Sequence, residues 1–408
     1  MTEPTPRPDA AASFAPPPPD PARAGRKDEH VRLAAGQQAA MAAGAGPRND
    51  FDDVELVHHA LDGVDPAGVD LGTDVGPWRW PLPVYVNGMT GGSVATGRLN
   101  RAIGIAARVT GVPVATGSVS AGLDDAGARA TFTVMREENP DGFVMANLGA
   151  DRTPDDAVRA VEMLRADALQ VHLNAAQETV MPEGSRRFDT WARNVAAICA
   201  ASPVPVVVKE VGAGLSGRTL ARLAGLGVTV ADVGGRGGTD FVGVENDRRP
   251  TRDLAYLRGW GQSAVVCLLD APTGAPHLLA SGGVRTPLDV VRALALGARA
   301  AGVAGRFLRV LLDDGEPPRD AAATDRAAAR LVEEIEVWRD HLVALHGLLG
   351  APTPADLVTT DVLLRGTVRE TAALRGTDVG ALTRRSAARP VPDLNRDLTA
   401  RHDGAPHA

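Results

Sequence analysis

Eight short apolar runs recur from residue 83 onward, each closing on a polar or glycine-rich cluster, and that repetition leaves few folds open. They occupy residues 83–87, 112–117, 143–148, 168–173, 205–210, 228–233, 277–281 and 300–304. Helical patterning fills the gaps, most legibly at 96–109, 154–165, 188–200, 216–226 and 287–297. Ser216 and Thr286-Pro287 supply helix starts and Gly297 a stop. Strands that alternate with helices pair in parallel, and eight of them close a (β/α)₈ barrel. The predicted fold is therefore α/β, a TIM barrel.

Residues 1–24 are rich in Pro and Ala, with prolines at 16 to 19, and are expected to form a disordered tail. A barrel domain is expected over 25–375, with a helical extension strongest at 321–347, and a C-terminal tail over 376–408. The Gly/Arg-rich stretch 234–260 reads as a long insertion after the sixth run, a length uncommon without a functional reason. A net charge of -7 argues against a nucleic-acid platform. Two cysteines, Cys199 and Cys267, cannot build a disulfide framework or a zinc cluster, and both sit in apolar surroundings. No apolar run approaches the roughly 20 residues of a membrane span. The N-terminal residues show no secretory pattern, so a soluble cytoplasmic protein is expected.

In such barrels the active site is built from the loops at the carboxyl ends of the strands. The fourth run empties into Gln170, His172, Asn174, Gln177, Glu178 and Glu183, a density of polar groups that needs water or partners. The other ends read Asn87-Gly-Met-Thr-Gly-Gly92, Gly117-Ser118, Asn147-Leu-Gly149, Lys209-Glu210, Asp232 to Thr239, Ser281-Gly-Gly-Val-Arg285 and Ala304-Gly-Arg306. The last two stand where barrels hold a phosphate on backbone N–H donors. Lys209 ends an apolar strand and needs an anion, either a flavin's N1–C2=O region or a structural partner such as Glu178 or Glu210. Glu178 suits Mg²⁺, which prefers oxygen ligands. Gln177 is a poor base without help from a cofactor. Arg26-Lys27 suits a diphosphate, or else is a solvated helix start.

Taken in order, Arg26-Lys-Asp-Glu-His30, Asn87 to Gly92, Gln170-Val-His-Leu-Asn-Ala-Ala-Gln-Glu178, Val208-Lys-Glu-Val-Gly212, Gly237-Gly-Thr239 and Ser281 to Arg285 resemble type 2 isopentenyl-diphosphate isomerase. The resemblance runs from about residue 25 to about 375, and its first and third motifs are the specific ones. It implies an FMN-dependent barrel that needs Mg²⁺ and acts on a prenyl diphosphate. Reduced FMN would serve acid–base proton transfer, and NAD(P)H only as reductant. By the same resemblance Arg26 and Lys27 hold the diphosphate, supported by His30, while His172, Asn174 and Gln177 face the substrate. His172 and Gln177 are the expected catalytic pair, and Glu178 binds the metal. Gly88, Met89 and Thr90 lie along the flavin, with Ser118, Asn147, Lys209 and Thr239 in contact. Gly282, Gly283, Arg285, Ala304 and Gly305 take its phosphate. A homotetramer or homo-octamer is the family's usual assembly.

Two departures matter. Where the family reads Ser-Gln-Arg after the second strand, this chain has Ser118-Val-Ser120, and a diphosphate-binding arginine is missing. After the sixth strand it carries Gly234-Gly-Arg-Gly-Gly-Thr239, and two alternatives stand open: Arg236 compensates for the lost arginine, or the pocket is adapted to another prenyl diphosphate as a cyclase or isomerase. Two further readings stand beside these. A 2-hydroxyacid oxidase-like FMN oxidoreductase should carry a histidine–arginine pair late in the barrel, and a non-catalytic FMN- or prenyl diphosphate-binding regulator would not need Gln177 and Glu178.

Overall fold

The computed structural model describes residues 20–46, 48–89 and 91–388. The tail expected over residues 1–24 lies outside them up to residue 19, as do residues 389–408 and Thr90. Helix α1 (Pro21–Ala42) takes in the last residues assigned to that tail. It is followed by β1 (Val54–Leu56) and by a hairpin of β2 (Thr73–Val75) and β3 (Trp78–Trp80), turned at Gly76 with φ +57°.

The eight predicted runs form β4 (Val84–Val86), β5 (Val114–Ala115), β6 (Val144–Gly149), β7 (Ala168–Leu173), β8 (Val206–Glu210), β9 (Val230–Asp232), β10 (His277–Ser281) and β11 (Ala300–Val303). They close a parallel barrel in chain order, with β11 returning to β4 through Ala301 opposite Val84. Every residue of β6 and β8 is buried. Strands covered on both faces read as continuous apolar runs, which is why they are visible in the sequence.

The β2–β3 hairpin carries no such signal, yet it fills the amino end of the barrel. Trp80 packs on Tyr85 and Phe143 with ring centroids 5.6 and 5.4 Å apart, and Trp78 meets Phe143 at 5.1 Å. These rings join a buried layer of Val75, Ala115, Met145, Val207 and Leu279.

The helical extension is dominated by one long helix, Ala321–Leu348, which lies against the helix Val94–Thr110 and seats Trp338 on Phe307; shorter helices follow at Gly366–Leu374 and Val379–Leu382. Beyond it β12 (Val362–Leu364) pairs antiparallel with β1. The stretch expected to be a long insertion holds the helix Phe241–Arg248 and a 3₁₀ turn, Ala255–Leu257. Among the described residues no helix is long and apolar enough to cross a membrane.

Candidate active site at the barrel mouth

The carboxyl ends of the strands surround a cavity of about 510 Å³, and α1 forms its roof. Arg26, Lys27, His30, Val31, Ala34, Gln38 and Met41 line it together because spacings of three and four place them on one helical face. Side-chain contacts hold the roof down. Gln37 exchanges two hydrogen bonds with the backbone of Asp240, at 2.8 and 3.1 Å, and Gln38 Nε2 donates to Thr239 Oγ1 at 3.3 Å. Helix and barrel approach closely there: a Cβ on Gly305 would sit 2.2 Å from the Gln38 amide carbon.

Gly88, Met89, Ser118, Asn147, His172, Asn174, Gln177, Glu178, Lys209, Thr239, Gly282, Gly283, Arg285, Ala304 and Gly305 line this cavity, with Arg26, Lys27 and His30 above, whereas Gln170, Glu183 and Arg236 do not. Thr90 lies outside the described residues. Arg285 reaches the cavity with its donors engaged. Its amide N–H and guanidinium bond Asp289, and the guanidinium also pairs with Asp52 at 2.6 Å.

Lys27 has no hydrogen bond or ion pair among the described residues, although half-buried. Burial, the adjacent Arg26 and, in opposition, Glu245 bring its ammonium down to about 8. Arg26 Nη1 is paired with Glu183 at 3.0 Å. Lys209 Nζ donates to the Glu210 carbonyl at 2.8 Å and has no ion pair within reach among the described residues. Burial lowers its pKa, against the opposing pull of Asp232 and Glu210. Glu210 is pushed up to about 7 by burial, although the N–H groups of Val211, Ala213 and Gly214 donate to it.

His172 Nδ1 meets Asn147 Oδ1 at 2.8 Å. Burial, Lys209 and Lys27 hold its imidazole down to about 3, so the ring is neutral at pH 7. Glu178 Oε1 accepts from Asn174 Nδ2 at 3.1 Å and Oε2 from Ser185 N–H at 2.6 Å; burial raises its pKa.

Nothing in the sequence singled out Glu245, which is fully buried on the helix Phe241–Arg248. It accepts from Gln177 Nε2 at 2.9 Å and pairs with Arg248. His30 Nε2 lies 3.1 Å from Oε1 without an aligned hydrogen bond. Burial alone would raise this carboxyl, but His30, Gln177 and Arg248 outweigh it and hold the group down to about 2. Asp232, inside the barrel, is a second residue to which the sequence assigned no role. Arg236, one of the two alternatives for the missing arginine, is not among the lining residues; its guanidinium sits 3.6 Å from Asp50. The arginines that do line the cavity beside Arg26 and Arg285 are Arg152, paired with Asp124, Arg306, paired with Glu334, and Arg309.

The donor set can be weighed against FMN and Mg²⁺. Gly282 and Gly283 adopt φ of +91° and +85°, where L side chains are strained, and a Cβ on Gly282 would fall 1.8 Å from the Gly235 carbonyl. The N–H groups of Gly283 and Gly305 have no acceptor among the described residues. Bare amides beside a buried lysine fit a flavin phosphate and ring. Among the described residues no three His, Cys, Asp or Glu side chains form a metal cage. One carboxylate fits Mg²⁺, which keeps its waters and leans on substrate phosphates.

No protein-family model matches the chain. A Kitasatospora griseola protein named isopentenyl-diphosphate delta-isomerase is 53% identical over 374 residues, covering 92% of this chain and 98% of that protein. Proteins of the same name from Streptomyces sp. (strain CL190) and Staphylococcus saprophyticus are 52% and 40% identical, covering 89% and 87% of this chain and 95% and 97% of theirs. Among solved structures, mandelate oxidase with (S)-2-phenylpropionate superposes with a TM-score of 0.56 at 20% identity, covering 84% of this chain and 96% of that one. At that identity the likeness is one of fold.

Proposed function

The chain belongs to the isopentenyl-diphosphate delta-isomerase family, and from that premise we propose that it converts isopentenyl diphosphate to dimethylallyl diphosphate with reduced FMN and Mg²⁺. The observation that carries the reading is Lys27. A half-buried cation without a partner among the described residues, beside Arg26 and above a neutral His172, is costly unless a polyanion occupies the cavity.

The reaction is a 1,3-proton shift: one proton is added at C4 of the alkene, another leaves C2, and the double bond moves between them. When bound in reduced form, FMN supplies the proton exchange that an amide cannot, with no net oxidation, so NAD(P)H is needed only to reduce it. Arg26 and Lys27 anchor the diphosphate and His30 backs them. Glu178 would hold Mg²⁺, which would supply positive charge to the diphosphate. Asn174 and Gln177 are fixed by Glu178 and Glu245 and orient the substrate, while His172 turns a neutral nitrogen towards it. Lys209 would balance negative charge at N1–C2=O, with Gly88, Met89, Ser118, Asn147 and Thr239 around the ring. Gly282, Gly283, Ala304 and Gly305 would take the phosphate through their backbone. In this reading one domain over about residues 25–375 does the work, in the cytoplasm, as a homotetramer or homo-octamer.

The segment from Asp232 to Pro276 contains no histidine, which leaves a hydroxyacid oxidation without its expected base there. The test is direct. Purified protein with FMN is reduced anaerobically and given isopentenyl diphosphate and Mg²⁺ in heavy water. Deuterated dimethylallyl diphosphate is expected; bound flavin with no such product overturns the reading.

A further inference from the structure

A chain of buried side chains crosses the barrel interior from Asp232 to His172. Asp232 is fully buried and accepts from Tyr85 Oη at 2.6 Å, Ser281 Oγ at 2.8 Å, Gly234 N–H at 3.1 Å and Asn87 Nδ2 at 3.4 Å. A carboxylate with all these donors turned on it takes protons and gives none. The Tyr85 hydroxyl therefore spends its only proton on Asp232 and can offer the next residue just a lone pair. Gln170, fully buried, sets its amide nitrogen against that oxygen. This is the loosest step, aimed at the phenol without complete hydrogen-bond geometry. With its nitrogen lying towards the phenol oxygen but in no aligned hydrogen bond, Gln170 turns Oε1 to Asn147, whose Nδ2 donates to it at 3.0 Å. Asn147 in turn is left with Oδ1 facing His172 Nδ1, at 2.8 Å.

Each link permits one direction only. An acceptor at the Asp232 end forces an acceptor at the Asn147 end, so His172 carries its proton on Nδ1. The ring's other nitrogen, Nε2, then faces the cavity bare. Which nitrogen of an imidazole is protonated follows from the bond its partner makes, and here that bond is set four side chains away. We propose that Asp232 is a positioning residue that fixes the tautomer of His172 and so presents a hydrogen-bond acceptor to the ligand. Its importance for turnover rests on the isomerase reading above; the tautomer itself does not.

The experiment is NMR of the histidine ring nitrogens in the full-length protein with FMN added, His172 being assigned by its loss in His172→Gln. The expected spectrum has Nδ1 protonated and Nε2 bare. Tyr85→Phe cuts the chain while keeping the Asp232 charge, and Asp232→Asn replaces the acceptor with a group that can donate. Both should move proton occupancy towards Nε2, with near-ultraviolet circular dichroism confirming the fold. In an isopentenyl diphosphate assay kcat should fall by on the order of 10- to 100-fold, with KM changed far less, as for other partners placed behind a functional imidazole. A wild-type His172 protonated on Nε2 overturns the proposal, and so does an unchanged tautomer in a folded Tyr85→Phe. Absence of isomerase turnover in a wild type with the expected tautomer instead overturns the isomerase reading and leaves this one standing.

Discussion

Gln177 Nε2 donates to Glu245 Oε1 across 2.9 Å, and Asn174 Nδ2 approaches the other end of the same amide at 3.3 Å. The amide is thus oriented from both sides, by a carboxylate that also touches His30 and pairs with Arg248. Removing that carboxylate strands the Arg248 guanidinium and leaves the His30 ring without its neighbour. Glu245→Ala is expected to lower stability by about 3 kcal/mol, the cost typical of breaking a buried charge cluster. A urea midpoint equal to that of the parent, at the same slope, would rule the cluster out as a stabilising element.

Acid should destabilise the fold in a defined window. Glu245 and His172 are both depressed in the folded state, to about 2 and about 3. For each, the unfolded chain binds a proton more readily than the native one, so stability rises with pH. The contribution of His172 is complete above its unfolded value near 6.5, and that of Glu245 above 4.5; both drain away as pH falls towards about 2. Denaturant titrations at pH 4.5, 3.5 and 2.5, outside the range in which the raised Glu210 carboxyl pulls the other way, check the sign, and a flat profile contradicts both assignments.

Diphosphate binding should take up a proton in mildly alkaline solution. In the ligand-free protein Lys27 titrates at about 8, and a bound polyanion favours its charged form. Below pH 8 both states are charged and affinity is flat. Above it, binding draws in a proton and affinity declines as pH rises. Calorimetry in buffers of differing ionisation heat measures that proton directly; none taken up about half a unit above that value would remove Lys27 from the anion site.

Arg236→Ala should leave KM for isopentenyl diphosphate within about twofold, because its partner is Asp50 and surface pairs contribute little. Lys27→Ala should weaken substrate binding by roughly 10- to 100-fold, the equivalent of ~1.5–3 kcal/mol for a lost charged hydrogen bond. Matched losses in the two variants would restore Arg236 as an anchor.

Glu178→Gln keeps the shape of the side chain and removes the charge that draws a hard cation. The Mg²⁺ concentration for half-maximal activity should rise by about tenfold or more, while flavin affinity stays near that of the parent. Full activity at limiting Mg²⁺ would place the metal elsewhere.

What could be read in the sequence had a short-range signature. The eight strands stand out because burial on both faces makes them unbroken apolar runs, and Asn174, Gln177 and Glu178 cluster within five residues. Glu245 and Asp232 left no such mark. Glu245 sits in a polar helix with no amphipathic rhythm, and its meaning comes from His30 and Gln177, far away in the chain. Asp232 looks like any strand-end acid until Tyr85 and Ser281 close on it. Arg236 misled for the converse reason: proximity to a glycine motif says nothing of where a long side chain points. The β2–β3 hairpin hides because Trp78-Arg-Trp80 is too short to show alternation.

The aromatic stopper of Trp78, Trp80, Tyr85 and Phe143 makes the barrel a flask rather than a tube. Among the described residues the cavity lies on the α1 side, away from these rings. In the proposed reaction, a bulky hydride donor and a prenyl diphosphate would both need that cavity and the same flavin face. They would therefore exclude one another, and recharging the flavin and turning over substrate would fall into separate episodes. In that reading a ring stack at the far end of the barrel would set the order of events at the near one.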